Sequence, residues 1–597
     1  MKRILLVALM LLIAAPIALA DPIPESDTSA QEFFGAPATQ NPVFDIPEAP
    51  RHPFMAPNQR SNIHSDAWQT DTNRLPGPLG RNMTRVSASH TADCGSVTFD
   101  SKGRIVTVCV GVQGPNGAGA GLHLLDPKTL DTLAKYDLPA RQPGVPSGLF
   151  TDFSGGGYFY LDDKDRAIVP TTTRHLFVMA ETAQPGFTLQ HDYDLTSAVP
   201  QGDKIISALP DWSGRYWFAS TNGVVGTVDP ASGAVKSVDT HEKIGNSFAV
   251  DETKGAYIVT DAALYRFEAG ADGAPVQTWR TTYENDGRMK PGQTELGSGT
   301  TPTITSAGYV AITDNADPID VAVFRRRDGA FVCHTPVFSK GASDTDQSLI
   351  GAGSSFVVEN NYGYSGPQAT EQGGTTTPGL ERVDVDSAGH CHKVWHSDEI
   401  APSVVPKLSL ANGIVYTYTK PAGVKSDPWY LTALDFRTGK TLFKFKAGQG
   451  LGFNNNYAPV TIGPDGTAYV GTLGGIVAVR DSVAPPPIAF GPGGRRPGAR
   501  PLLSLRLRYG QGQRCSRRRV RATLIGRDLA LVSRVQFRLR GRSVGTDRHA
   551  PFTRRLRVGS GRNGGKVVAR VVLVDGRRAD VSRRLRPCAR LTTPRGG

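Results

Sequence analysis

The chain has 597 residues and a net charge of +13, unevenly divided: 28 Arg, one Lys and four Asp from Gly491 onward give that end +25, leaving −12 for the residues before it. With a C-terminus rich in Arg instead of apolar residues, no membrane anchor is expected there. Six cysteines, with no C-x-x-C-H among them, exclude covalent haem and fit bridges better than metal sites.

Residues 1–20 carry Lys2 and Arg3, an apolar run from Ile4, and Ala18-Leu19-Ala20 before Asp21. This is the layout of a cleavable signal peptide, so a secreted or periplasmic chain without a transmembrane segment is expected. Residues 21–80 are rich in Pro, Asn, Gln and Ser without a sustained period and read as an arm, partly disordered or wrapped on the body.

From 81 to 483 a short β-rich run, a tight turn and a second β-rich run recur eight times. The turns centre on Asp100-Ser101-Lys102-Gly103, Asp162-Asp163-Lys164, Asp211-Trp212-Ser213-Gly214, Asp251-Glu252-Thr253-Lys254, Ser306-Ala307-Gly308, Gly351-Ala352-Gly353, Ala411-Asn412-Gly413 and Pro464-Asp465-Gly466. A period of roughly 40 to 55 residues predicts an all-β chain built as an eight-bladed β-propeller, with seven blades as the alternative. The eighth repeat lacks a fourth strand, which 82–89 is expected to supply. Cys94 and Cys109 are placed symmetrically about Ser101-Lys102, so a two-residue hairpin would set them opposite each other for a bridge. Cys333 and Cys391 fall in the last strands of successive repeats, and Cys515 and Cys588 bracket the tail, so each pair is expected to be joined.

Residues 484–501, with three consecutive prolines, have linker composition. In 502–597 the runs Val535–Arg542 and Val567–Val574 alternate apolar with polar residues, as strands do. This segment resembles bacterial immunoglobulin-like modules, which implies a basic β-sandwich. The repeats resemble the quinoprotein dehydrogenase-like, or PQQ-like, superfamily. Ala433-Leu434-Asp435-Phe436-Arg437-Thr438-Gly439 carries the likeness, with Phe443 where the family docks Trp, and Val228-Asp229-Pro230 and Leu125-Asp126-Pro127 echo it. PQQ as a redox cofactor is disfavoured, because no two cysteines are adjacent and the chain has six Trp in all.

Opposite the short turns, the connections 140–157, 285–301, 357–379, 419–428 and 447–458 are long, and loops on a rigid scaffold are where binding groups are presented. Ligand-binding candidates on that face are Asn246, Thr301, Gln347, Lys407, Asn456 and Tyr457 from inner-strand starts, with Asp314, Asn315, Glu359, Asn360, Asn361 and Tyr362 from second-strand ends. Asp314, Asp317, Glu359 and Asn361 are the candidate Ca²⁺ ligands, a hard ion that takes oxygen donors. Glu359, beside Val357-Val358, is the candidate catalytic acid or base, its pKa raised by apolar surroundings. His390, Cys391, His392 and His396 read as exposed histidines beside a disulfide. Gly541-Arg542-Ser543-Val544-Gly545 fits G-x-S-x-G but lies in a hairpin with no helix following, so it reads as coincidence.

A small-molecule or polymer ligand is therefore expected at the open face, with a binding or scaffold role and catalysis by a Ca²⁺-dependent hydrolase or lyase as the alternative; a PQQ oxidoreductase ranks below both. The basic tail suits an anionic envelope polymer better than nucleic acid, since its arginines lack interleaved exposed aromatics.

Overall fold

The computed structural model describes residues 20–25, 29–114, 117–140, 152, 154–491, 502–509, 519–526, 528–529, 532–558, 565–573 and 578–586. The signal-peptide expectation at 1–20 and the proposed Cys515–Cys588 pair lie outside these residues, apart from Ala20. The chain divides into two units, Met1–Val43 with Ala49–Ile488, and Phe44–Glu48 with Ala489–Gly597.

The first unit is all-β. Among the described residues, eight sheets succeed one another along the chain, each with at least four strands, and consecutive strands in each run antiparallel. The first pairs Ala92–Phe99, Ile105–Gly114, Gly117–Leu125 and Thr132–Leu138 in sequence order. The same order repeats over 160–194, 205–239, 249–282, 303–336, 350–397 and 407–449. The last sheet has Val460–Ile462, Ala468–Thr472 and Gly475–Asp481, and Met83–Ser89 is its fourth strand, running antiparallel to Gly475–Asp481. This arrangement of consecutive four-stranded sheets is consistent with a β-propeller.

Apolar clusters fill the seams between neighbouring sheets. Val97, Phe99 and Ile105 of the first sheet pack with Tyr469, Ile476 and Ala478 of the last, which joins the two ends of the series. Aromatic side chains on outer strands dock on the next sheet's turn. Trp395 Nε1 donates to Phe436 O at 2.8 Å, and Tyr193 Oη donates to Pro230 O at 2.9 Å. A Cβ at Gly439 would stand 2.6 Å from the Trp395 ring, and φ there is +70°, so that turn needs glycine for both reasons. Phe443 is instead covered by Phe33, at a ring-centroid distance of 6.0 Å. Phe33–Gly35 is an added outer strand on the seventh sheet, paired with Thr441–Gln449.

Seven of the eight turns fall between the first and second strands of their sheets; in the sixth, Gly351 and Ala352 belong to the first strand and only Gly353 lies in the turn. Four are built the same way around a buried Asp. Asp100 Oδ1 accepts the N–H groups of Lys102 and Arg104, at 2.9 and 2.8 Å, and Asp100 Oδ2 accepts Arg104 Nε at 2.6 Å. Asp162 repeats this with Lys164 and Arg166. At Asp211 the second oxygen accepts Trp217 Nε1, and at Asp251 it accepts Tyr257 Oη. A short side chain that satisfies its own turn's backbone is why Asp recurs here.

The bridge Cys94–Cys109 is present, but not through a two-residue turn. The loop spans Asp100–Arg104, closed by the Asp100 N–H to Arg104 O at 3.0 Å. That loop puts Ser96 opposite Val108, and a bulge between Asp93 and Ser96 then restores the pairing of Asp93 with Val110. The slip of one residue brings the two thiols together. Cys333 is bonded to Cys391 across neighbouring sheets.

The arm, read from sequence as partly disordered or wrapped on the body, takes a definite course. Residues 56–73 are threaded along the inner strands, one sheet after another. Phe99 N–H donates to Arg60 O, Leu161 to Ser61 O, Val250 to Ala67 O, Ile304 to Trp68 O, Gly351 to Thr70 O and Leu408 to Asp71 O. Thr72–Asn73 then runs parallel to Lys407–Ser409. Inner-strand edges would otherwise leave these N–H groups unpaired in the interior, and the arm supplies their acceptors.

The second unit has two antiparallel sheets, Leu503–Tyr509/Arg519–Gly526/Thr553–Arg557 and Arg542–Asp547/Val532–Leu539/Lys566–Leu573/Arg578–Arg584. Their alternate residues share one core, including Leu505, Val520, Val535, Phe537, Val571 and Leu573. Gly541–Gly545 lies in a hairpin between two strands.

Candidate functional site

Inner strands begin at one end of the first unit and meet the short turns at the other. At the beginning end they enclose a cavity of about 330 Å³. The connections 140–157 and 447–458 contribute Asp152, Gly157, Leu451, Asn456 and Tyr457 to it, and Tyr158 follows directly after the first of them. Val108, Val110, Val405 and Leu473 provide apolar wall, and the arm reaches it with Ile63 and His64. Few polar groups in an apolar concavity is the usual make-up of a small-molecule site.

Of the sequence candidates, Gln347, Asn456 and Tyr457 line the cavity. Gln347 Nε2 is buried and has no hydrogen-bond partner among the described residues. Beside it, Asp346 Oδ1 is also without one, while Asp346 Oδ2 accepts the Thr294 N–H at 2.6 Å. Burial pushes the Asp346 carboxyl up to about 7.

Asn246 stands behind the wall. Its Oδ1 accepts the Tyr158 hydroxyl at 2.8 Å and its Nδ2 donates to Gly299 O at 2.9 Å. Thr301 is buried nearby with no partner for its hydroxyl. Glu359 is 1% exposed, with Oε1 accepting Asn361 Nδ2 at 3.4 Å and Oε2 unpartnered. Burial drives its pKa well above the usual carboxylate range, in the expected direction. Neither oxygen of Asp344 has a partner, and burial, then the neighbouring Asp346 charge, raise it to about 8.

Other candidates are engaged in holding loops. Asp314 Oδ1 accepts the N–H groups of Ala316 and Asp320, and burial lifts its pKa to about 7. Asn315 Nδ2 donates to Asn285 Oδ1 and Arg288 O, stitching down 285–301. Asp317 Oδ1 accepts the Gly341 N–H at 2.6 Å. Asn360 Nδ2 donates to Ala342 O, and its Oδ1 accepts the Tyr362 N–H. Asn361 Oδ1 accepts the Asp346 N–H at 2.9 Å, and its Nδ2 donates to Pro402 O at 2.7 Å. The proposed Ca²⁺ set Asp314, Asp317, Glu359 and Asn361 is not brought together as a site: among the described residues no group of three or more His, Cys, Asp or Glu is placed to hold a metal ion. His396 pairs with Glu381 and Asp398 at 2.9 and 3.1 Å.

Lys407 turns inward. It is 2% exposed, and its Nζ donates to Asp71 and to Ile63 O. Burial pulls the ammonium pKa down and the Asp71 carboxylate opposes that. Asp71 Oδ2 also meets His64 Nδ1 at 3.0 Å, and His64 Nε2 stands 3.5 Å from Ser348 Oγ. His64, Asp71 and Ser348 were not candidates from sequence. Two of them sit in the aperiodic arm, and the only signal was a buried cation in an inner strand that needed a partner.

No protein-family model matches the chain. It is 27% identical over 318 residues to an uncharacterized protein of Archaeoglobus fulgidus, a match covering 47% of this chain and 61% of that protein, so the chain spans about three fifths of the curated relative's length. Among solved structures it is similar to BamB from Moraxella catarrhalis, with 12% identity, TM-score 0.39, and coverage of 66% of this chain and 97% of that one. It is also similar to a europium-containing methanol dehydrogenase, with 12% identity, TM-score 0.43, and coverage of 70% and 97%. Quinohemoprotein alcohol dehydrogenase ADHIIG from Pseudomonas putida HK5 follows at 10% identity, TM-score 0.48, and coverage of 75% and 82%. Likenesses this remote say nothing of activity.

Proposed function

We propose that the chain is an exported, non-redox binding protein: an eight-bladed PQQ-like propeller that takes a small molecule or a polymer end into the cavity, followed by an immunoglobulin-like module. The observation that carries the reading is the cavity of about 330 Å³ in which Gln347 Nε2 and Asp346 Oδ1 are buried without partners. Leaving a buried donor and a buried acceptor unpaired costs roughly 1–3 kcal/mol each, a cost that a ligand's polar groups would remove. Two disulfides suit an oxidising compartment, and among the described residues no helix is long and apolar enough to cross a membrane.

Fragments screened against the full chain by thermal shift should raise its melting temperature. Binders should lose at least tenfold in affinity to Gln347→Leu, which keeps the bulk and removes the donor. Binders indifferent to Gln347→Leu would contradict the reading. The basic tail is proposed to hold the protein on an anionic envelope polymer. Retention of the full chain on such a polymer should fall steeply as salt rises, since exposed charges are screened beyond about 10 Å at 0.1 M. Salt-indifferent retention would assign adhesion elsewhere.

A further inference from the structure

We propose that the cavity carries a serine esterase centre in which Ser348 is the nucleophile, His64 the general base and Asp71 the group that orients the base. The inference rests on the cavity being a ligand site and adds a reaction to it. Two backbone hydrogen bonds assemble the three residues. Gly351 N–H to Thr70 O, at 2.9 Å, ties the strand that follows Ser348 to the arm, and Leu408 N–H to Asp71 O, at 3.0 Å, fixes the arm beside Lys407. His64 and Ser348 both face the cavity. The three side chains are buried, at 1%, 4% and 0% exposure for His64, Ser348 and Asp71.

The geometry assigns the hydrogens. Asp71 as a carboxylate only accepts, so His64 Nδ1 carries the hydrogen it shares with Asp71 Oδ2 at 3.0 Å, and Nε2 holds the lone pair. That lone pair faces Ser348 Oγ at 3.5 Å, a long contact of the kind that shortens when substrate binds. Lys407 Nζ occupies the other Asp71 oxygen, so one carboxylate serves the ammonium and the imidazole at once. The ring of Tyr158 lies nearly parallel to the imidazole, with centroids 6.2 Å apart, and its hydroxyl is anchored on Asn246. Asp71 therefore orients the His64 ring, with the Tyr158 ring beside it. A base oriented by a third group and facing a hydroxyl is the arrangement that activates serine.

Gln347 adds a donor. Its Nε2 has no partner among the described residues and lines the same cavity, one residue from the nucleophile. It suits an oxygen that gains negative charge. The apolar walls and the neighbouring carboxylates favour an uncharged ester with a short acyl chain. In acylation, Ser348 Oγ bonds to the ester carbonyl carbon while its proton passes to His64 Nε2 and the C=O electron pair moves to oxygen. When that pair returns, the C–O bond to the alcohol breaks and the His64 proton goes to the departing oxygen. Water then attacks the acyl-serine by the same steps, giving the carboxylic acid and restoring Ser348.

The test uses the full chain with p-nitrophenyl acetate and with diisopropyl fluorophosphate, a small uncharged reagent that loses fluoride as a serine oxygen bonds to phosphorus. A one-equivalent burst of p-nitrophenol is expected, with the phosphoryl adduct mapped by mass to Ser348. Ser348→Ala should abolish both, and His64→Gln should slow labelling about a hundredfold or more. Mapping of the unaltered chain decides the matter even if a variant folds poorly. No adduct on Ser348, or a burst that survives in Ser348→Ala, overturns the proposal. Fragments that need Gln347 but no adduct on the unaltered chain would sink the chemistry and leave the binding reading standing.

Discussion

The two ends of the same sheets use buried carboxylates in opposite ways. At the short-turn end, Asp100, Asp162, Asp211 and Asp251 are buried, and both oxygens of each have donors. Toward the cavity end, Asp344, Asp346 and Glu359 are also buried, yet each keeps at least one oxygen without a partner among the described residues. Burial costs a carboxylate the same at either end, and only the first group recovers that cost through its hydrogen bonds. The turns therefore recover the cost of their carboxylates, and of the three unsatisfied carboxylates Asp346 is the one that lines the cavity, where the proposed ligand would meet it.

The bridges give the largest expected effects. Loop entropy predicts a loss of about 4 kcal/mol for Cys333→Ser with Cys391→Ser, whose separation is 58 residues, and about 3 kcal/mol for Cys94→Ser with Cys109→Ser, separated by 15. Only the second should disturb the cavity, because Cys94 lies between the lining residues Asp93 and Gly95. Denaturant unfolding with fragment binding on both variants checks this. Equal damage to binding would blur the distinction between the two ends.

Asp211→Asn comes next. It sets an amide N–H₂ against Trp217 Nε1 or against the turn's N–H groups, and should cost about 2 kcal/mol by chemical denaturation. An unchanged midpoint would mean that the turn does not depend on its carboxylate.

A smaller effect is a pH dependence of reversed sign. Burial lets Asp344, Asp346 and Asp314 hold protons to about 8, 7 and 7 when folded, against the ordinary 3.8 of an aspartate carboxyl. Between roughly pH 4 and 8 the folded chain thus binds more protons than the unfolded one, so stability falls as pH rises through that window and levels off above it. Asp344→Asn should flatten the fall in melting temperature between pH 5 and 8. A fall of unchanged depth would place its source elsewhere.

The repeat was readable because each turn needs an Asp or Gly at a fixed place, and because strands alternate or run apolar according to how many faces they bury. The closing strand Met83–Ser89 and both described bridges were readable for related reasons, register and count. The arm was not. Arg60, Ser61, Ala67 and Thr70 meet the inner strands through their carbonyls, which every residue has, so nothing in their side chains announces the role. Phe33-Phe34 in a polar stretch was the one visible hint that the arm pairs with a strand. Of the residues that line the cavity, Gln347, Asn456 and Tyr457 were legible from their position at inner-strand starts. Asp314, Asn315, Asp317 and Asn360 share that chemistry but hold loop backbone, and only distances separate the two uses. His64 and Asp71 depend on a fold-back of the arm that no period encodes.

The most direct test compares Asp346→Asn with Asp211→Asn in the full chain at pH 7.5 by melting temperature. If the cavity carboxylates are kept for recognition, Asp346→Asn melts at or slightly above the unaltered chain, because an amide keeps the Thr294 N–H bonded without the cost of a buried charge, while Asp211→Asn melts several degrees lower. Equal destabilisation by the two variants would contradict the account and make Asp346 one more structural carboxylate.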